Sequence, residues 1–405
     1  MPSSDPEKPR FTEIDWENVS GGRFRLNRRT TGLAIALAVL AVLFAYDYIV
    51  EPDELVWFLH WDLTRTEWLF VLSLVLVGRY MVVPALANRE RAARQLWEIV
   101  SRPAGALSLA YLTVFVVVGL LGPDTFFGLA YPRLKYKLQP PVYTSVYIGD
   151  QYYYNCVGKV VAQRCYGTWR YPLGTTRFGA DMVRKLMEGM QVGLMLGVTT
   201  ATIMAAVATV VGTTAGYFRG LIDDLLMWYV DVQQTIPAIV VYIVLATMYL
   251  GDITEVTEGG MFVFVLVFGL LDWGGIARLV RSDVLTRRSA GYVRAAHAAG
   301  ASDFEVIRRH VIPNSTATIV TALTRRIPLL ILAQTVLAYL VLNRIRSRSL
   351  GRLLRIGLQN QGMSWSRKWW VASLAVVVLV LTVLACNLLG DVLRDVLDPT
   401  EETQR

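Results

Sequence analysis

Histidine and cysteine are scarce, three of each in 405 residues. His60, His297 and His310 form no His-Glu-x-x-His pair, and no paired intramembrane aspartates stand in the apolar runs, so the sequence carries no metalloprotease or intramembrane peptidase signature. The phosphate-cradling Gly-x-x-x-x-Gly-Lys-Ser/Thr loop is also missing: Gly158-Lys159 is followed by Val160. Charge is sparse, at 18% of residues against 54% apolar and a mean hydropathy of +0.42, which excludes an ordinary soluble protein of this length. Internal repeats and low-complexity tracts are lacking too.

What is present is long apolar sequence. A helix rises about 1.5 Å per residue and a hydrocarbon core is roughly 30 Å thick, so runs of about 17 to 25 residues suffice to cross. Eight such runs lie near 31–50, 68–86, 105–122, 190–214, 225–250, 261–280, 318–342 and 369–390. The expected fold class is therefore an all-α polytopic membrane protein. Arg79 interrupts the second run and is read as snorkelling toward the adjacent cytoplasmic end. The first run has no small-residue cleavage site after it and is kept as a span.

Loop arginines set the orientation. Arg23, Arg25, Arg28 and Arg29 precede the first span, and Arg89, Arg91, Arg94 and Arg102 lie in 87–104, whereas 51–67 is acidic, with Glu51, Asp53, Glu54, Asp62 and Glu67. Both termini are expected in the cytoplasm, with eight spans between them. Loop 343–367 dissents, since it falls outside yet carries Arg344, Arg346, Arg348, Arg352, Arg355 and Arg367. The net charge of +8 is ascribed to loop arginines facing anionic membrane lipid, and no nucleic-acid partner is expected.

The expected organisation is a cytoplasmic segment 1–30, a transmembrane hairpin 31–104, a first core helix 105–122, an external segment 123–189, a membrane core 190–395 containing a cytoplasmic loop 281–317, and a tail 396–405. The external segment is rich in Tyr, Val and Thr with turn signals at Gly149-Asp150 and Gly158, which favours a few β-strands. Its tyrosines suit either a docking surface or packing onto the membrane mouth. Cys156 and Cys165 both fall there, where a disulfide is permitted; Cys386, in the last run, reads as a small packing residue. Two thiols without a nearby His do not suggest zinc, and no metal site is expected.

Loop 281–317 holds the most specific sequence, YVRAAHAAGASDFEVIRRHVIPN from Tyr292 to Asn314. Gly291 to Ala299 is helix-forming, and Gly300 supplies the positive φ that ends a helix cheaply. Ala301 leads to Ser302, which with Glu305 fits a capping box, and Pro313 with Asn314 is expected to stop this second helix. Tyr292, Ala295, Ala296 and Ala299 share one face, and small alanines let another backbone approach. That face calls for a partner.

These residues resemble a known family. Ala295, Ala296, Gly300 and Pro313 match the cytoplasmic loop of ABC-importer permeases, Glu-Ala-Ala, three residues, Gly, nine residues, Ile-x-Leu-Pro, with Ile312 a near match; Arg294 replaces the usual Glu and His310 the usual Ile. Before span four, YPLGTTRFGAD is similar to the dipeptide/oligopeptide/nickel branch in Pro172, Leu173, Gly174, Thr175, Gly179 and Asp181, and departs at Tyr171, Thr176 and Ala180. AGYFRGLIDDLLMWYVDV, ARLVRSDVL and CNLLGDVLRDVLDP look like the same branch. The likeness covers about 105–398, leaves two extra N-terminal helices outside a six-helix plan, and fails at LNRIRSRSLGRLL.

The resemblance implies an ABC-importer permease core in the cell membrane, moving peptides or similar solutes, with a small β-containing external insertion. It implies a second related permease, two ATPase subunits that use ATP, and an external solute-binding protein. The chain itself is expected to bind no cofactor and to perform no bond chemistry. Docking to the ATPase falls to Tyr292, Ala295, Ala296, Ala299, Gly300, Ala301, Ser302, Glu305 and Pro313. Departures at Arg294 and 343–367 motivate the competing reading, a degenerate permease serving as a membrane scaffold or sensor; nickel or sugar import stays open as well.

Polar residues inside spans are expensive and carry functional weight. Asp231, with Gln233 and Gln234 before Pro237, and Asp272 beside Trp273 either line a solute path or brace helices near the cytoplasmic face. Arg325 and Arg326 either attract a substrate carboxylate or snorkel to the surface, the reading preferred here.

Overall fold

The computed structural model describes residues 28–49, 63–127, 133–148, 155–248, 258–340, 348–359 and 365–397. The N-terminal segment before residue 28, most of the acidic connector, the Gly149-Asp150 turn, Arg344, Arg346 and the tail beyond 397 lie outside the described residues. Residues Met1–His60 and Trp61–Arg405 form separate compact units. Helix α1, Arg28–Ile49, belongs to the first and is apolar around its circumference, as a helix solvated by lipid must be.

The second unit opens with α2, Arg65–Val77, started by Thr64, whose hydroxyl accepts from the Glu67 amide while the Glu67 carboxylate accepts from the Thr64 amide. A wide π-helical turn, Gly78–Val82, carries it on to Ala87, and there Arg79 lies 5.4 Å from the Tyr80 ring. The basic connector that follows is itself a helix, α3, Arg89–Ser101. Helix α4, Pro103–Phe127, outruns the expected 105–122 and kinks at Gly122, φ 69°, ahead of Pro123.

The segment expected outside contains β1, Ser145–Tyr147, β2, Val160–Val161, and β3, Arg164–Tyr166, joined antiparallel in the order β1-β3-β2. Cys165 on β3 faces Val146 on one side and Val160 on the other, and its sulfur is bonded to that of Cys156. Helix α5, Met182–Phe218, starts well before the expected residue 190 because Asp181 caps it, accepting from the Val183 amide at 2.8 Å.

The expected span 225–250 is broken. Helices α6, Gly220–Thr235, and α7, Ala238–Met248, meet at 57° across Ile236-Pro237, where proline lacks the amide needed to continue the ladder. Helix α8, Met261–Leu271, gives way at Asp272-Trp273 to α9, Gly274–Arg288, which continues past the expected end at 280. After α10, Gly291–Ala298, and α11, Asp303–Val306, comes α12, Ile312–Tyr339. The chain closes with α13, Leu350–Leu358, and α14, Trp369–Leu397. Trp370 donates its indole N–H to the Thr175 carbonyl at 3.1 Å, tying α14 to the segment that precedes α5.

Among the described residues seven helices are long and apolar enough to cross a membrane, and an eighth if α6 and α7 make one bent span. Helices α5 and α9 pack backbone to backbone. A Cβ on Gly212 would sit 2.5 Å from the Ala277 carbonyl oxygen, and one on Gly216 2.8 Å from that of Arg281. Small residues four apart let these backbones touch, the device by which helices associate without hydrophobic driving force.

Candidate functional site

Loop 281–317 is built onto the end of that helix pair. Helix α10 ends in a Schellman arrangement: the Gly300 amide donates to the His297 carbonyl at 2.9 Å and the Ala301 amide to that of Ala296 at 3.1 Å. Gly300 holds φ 86°, and nothing lies within 4 Å of where its Cβ would stand. The glycine therefore serves backbone geometry, not clearance.

Beyond the bend, Ser302 caps α11 by accepting from the Glu305 amide at 3.4 Å. The reciprocal half of the expected capping box is replaced: the Glu305 carboxylate pairs with Arg309 at 2.5 Å, one turn on. Pro313 does not stop the helix. A π-helical turn, Ile307–Val311, in which the Ile312 amide reaches back to the Ile307 carbonyl, absorbs the missing donor, and Asp303–Tyr339 runs as one 37-residue path. Expected helix–bend–helix is thus helix, bend and the near end of a candidate membrane span.

Only part of the expected open face is open. Tyr292, Ala295 and Ala299 are exposed. Ala296 turns partly inward with the buried Val293, and Ala301 joins it, because α10 lies on its Val293 edge against the core that also buries Val306 and Val311. Val293 and the exposed Phe304 were not singled out in the sequence, although each stands one position from a residue that was.

Tyr217, the penultimate residue of α5, pins both sides of the bend. Its hydroxyl donates to Asp303 Oδ1 at 2.8 Å and lies 2.8 Å from His297 Nε2. The carboxylate can only accept, so the tyrosine proton is committed to Asp303, and His297 must donate from Nε2. The guanidinium of Arg288 stands 5.6 Å over the Tyr217 ring. Tyr217, Phe218, Arg288, Val293, Arg294, His297 and Asp303 line a cavity of about 380 Å³.

The intramembrane candidates resolve into ion pairs. Asp231 and Gln234 are brought together by Arg278, which donates to both. Gln233 is buried and donates to the Leu270 carbonyl at 3.1 Å. Asp272 pairs directly with Arg326, both about one-third exposed, so this guanidinium is held by a carboxylate from another element. Arg325 turns instead to Asp391 at 2.7 Å on the exposed side. Each of these arginines already has its anion.

The chain is similar to known transport permeases. A family described as binding-protein-dependent transport system inner membrane component matches residues 208–402. The dipeptide transport system permease protein DppC of Bacillus subtilis is 31% identical over 227 residues, 56% of this chain and 68% of that protein. A putative peptide transport system permease protein of Brucella suis is 33% identical over 228 residues, 56% of this chain and 72% of the relative. The oligopeptide transport system permease protein OppC of Mycobacterium tuberculosis is 32% identical over 234 residues, 58% of this chain and 77% of the relative.

Proposed function

Because the chain belongs to the family of binding-protein-dependent transport system inner membrane components, we propose that it forms half of the path by which an ATP-driven importer takes up peptides or similarly small solutes. It is a multi-pass membrane permease, and a permease of this family works with a partner permease and an ATPase. The fuller assembly is our proposal: a second related permease, two ATPase subunits that bind and use the ATP, and an external binding protein that delivers solute. Both termini and loop 281–317 then face the cytoplasm, as the arginines of the short loops favour. This chain makes and breaks no bonds.

One observation carries the mechanism: the loop is continuous with the span. From Asp303 the helical path runs to Tyr339, while Tyr217 and the α5–α9 contact hold the other side of the bend to the bundle. Closure of the ATPases against Tyr292, Ala295, Ala299 and Ser302 therefore moves α12 as a lever, tilting the spans between outward- and inward-facing arrangements. Asp231, Gln234, Asp272, Arg325 and Arg326 act in paired form, as braces along the path, rather than as open charges awaiting a substrate carboxylate.

The test is Gly300→Val. Open space surrounds that position, so the substitution strains φ without a clash, at a cost of roughly 1–2 kcal/mol. In proteoliposomes holding the assembled transporter, peptide uptake is expected to fall while membrane insertion and ATP hydrolysis persist. Unaltered coupling would refute the lever. Failure of any ATPase to co-purify with the wild-type chain would favour the scaffold reading, and comparing peptides, nickel ions and sugars as cargo decides among the solute classes.

A further inference from the structure

Resting on the docking reading above, we infer that the loop meets its ATPase through a cationic patch around the Tyr217 cavity, and that the surface it fits presents carboxylates. Loop 281–317 holds six arginines, 281, 287, 288, 294, 308 and 309, against three acids, Asp283, Asp303 and Glu305. Two of the acids are paired with arginines, and the third accepts from a neutral phenol. Asp283 takes Arg287 at 2.7 Å, Glu305 takes Arg309 at 2.5 Å, and Asp303 accepts from Tyr217. Arg281 reaches away from the loop to the buried Asp223 at 2.6 Å.

Three guanidiniums remain. Arg288, Arg294 and Arg308 are exposed, and no ion pair joins any of them to a carboxylate among the described residues. Two of the three, Arg288 and Arg294, line the same cavity, whose wall also includes the buried Val293, the phenol of Tyr217, the His297 ring and a single carboxylate, Asp303. Its 380 Å³ leaves room for a protruding side chain. Beside it Tyr292 is 41% exposed and Phe304 71%, aromatic surface of the kind that anchors protein interfaces.

Two guanidiniums against the one carboxylate of Asp303 leave the concavity net positive, and an incoming carboxylate is steered by that excess. An anionic lipid headgroup shares the charge but not the shape: exposed Ala295 and Ala299 next to the patch suit close approach of another backbone. The occupant is accordingly an Asp or Glu side chain of the ATPase, seated between Arg288 and Arg294, with Arg308 at the margin.

The assembled transporter with its own co-expressed ATPase provides the test. In the Arg294→Lys variant, carbodiimide activates an ATPase carboxylate, takes up the elements of water, and leaves an amide to the substituted amine; mass spectrometry is expected to place that amide on an ATPase Asp or Glu. Arg294→Glu is expected to weaken ATPase retention by about tenfold or more at low ionic strength. Reversing the cross-linked ATPase acid to Lys should restore it. Absence of the cross-link with unchanged retention of Arg294→Glu overturns the inference. So does a loss confined to binding of phosphatidylglycerol vesicles, which would assign the arginines to lipid. Gly300→Val in the same preparation separates the two levels: if it uncouples while Arg294→Glu does nothing, docking stands and the cationic patch falls; if neither variant has an effect, both fall.

Discussion

The arginines that reach between helices and three arginines of loop 281–317 live under different rules. Arg278, Arg281, Arg325 and Arg326 each hold a carboxylate from another element, Asp231, Asp223, Asp391 and Asp272, whereas Arg288, Arg294 and Arg308 hold none among the described residues. Near lipid an unpaired guanidinium is costly, so each charge brings its partner. In water it is tolerated, and the chain can keep charge in reserve for another subunit. Pairing between elements marks structure here, and the three unpaired loop arginines mark surface offered outward.

That contrast can be broken at its strongest point first. Asp223 is buried beneath Arg281, so Asp223→Ala should lower the stability of the purified chain by about 2–3 kcal/mol, discounted from a fully buried pair because a third of the arginine meets solvent. Thermal melts in detergent read the loss, and Asp223→Ala with Arg281→Leu should recover part of it. Asp272→Ala comes next, at about 1–2 kcal/mol, since both partners are more open. If the Asp272→Leu, Arg326→Leu double variant is less stable than either single one, the pair is not a brace.

Smaller effects sharpen the other side. Tyr217→Phe removes the hydroxyl shared by His297 and Asp303 and should cost about 1 kcal/mol, read as faster amide exchange on both sides of Gly300. Arg294→Glu should move the melting free energy of the isolated chain by less than about 0.5 kcal/mol. A large destabilisation there would mean that Arg294 is structural after all.

Much of this was legible in the chain. Spans announce themselves because lipid demands unbroken apolar length, and Gly300 because few residues reach a positive φ cheaply. What escaped was nonlocal. Arg278 and Asp231 are 47 residues apart and Arg326 and Asp272 are 54 apart, so no local pattern pairs them. Proline misled in both directions: Pro237 breaks a span expected to be continuous, whereas Pro313, expected to stop its helix, follows a widened turn that has no recognisable spelling. Val293 was overlooked because small alanines around it drew attention to the opposite edge of the same short helix.

The widened turn at Ile307–Val311 also sets an angle. One surplus residue in a helix rotates everything before it by roughly 100° relative to everything after. Removing a single residue there, Arg308 for instance, would let the coil close regularly and swing the bend to a new azimuth, as a key cut one notch out of phase still enters its lock but no longer turns it.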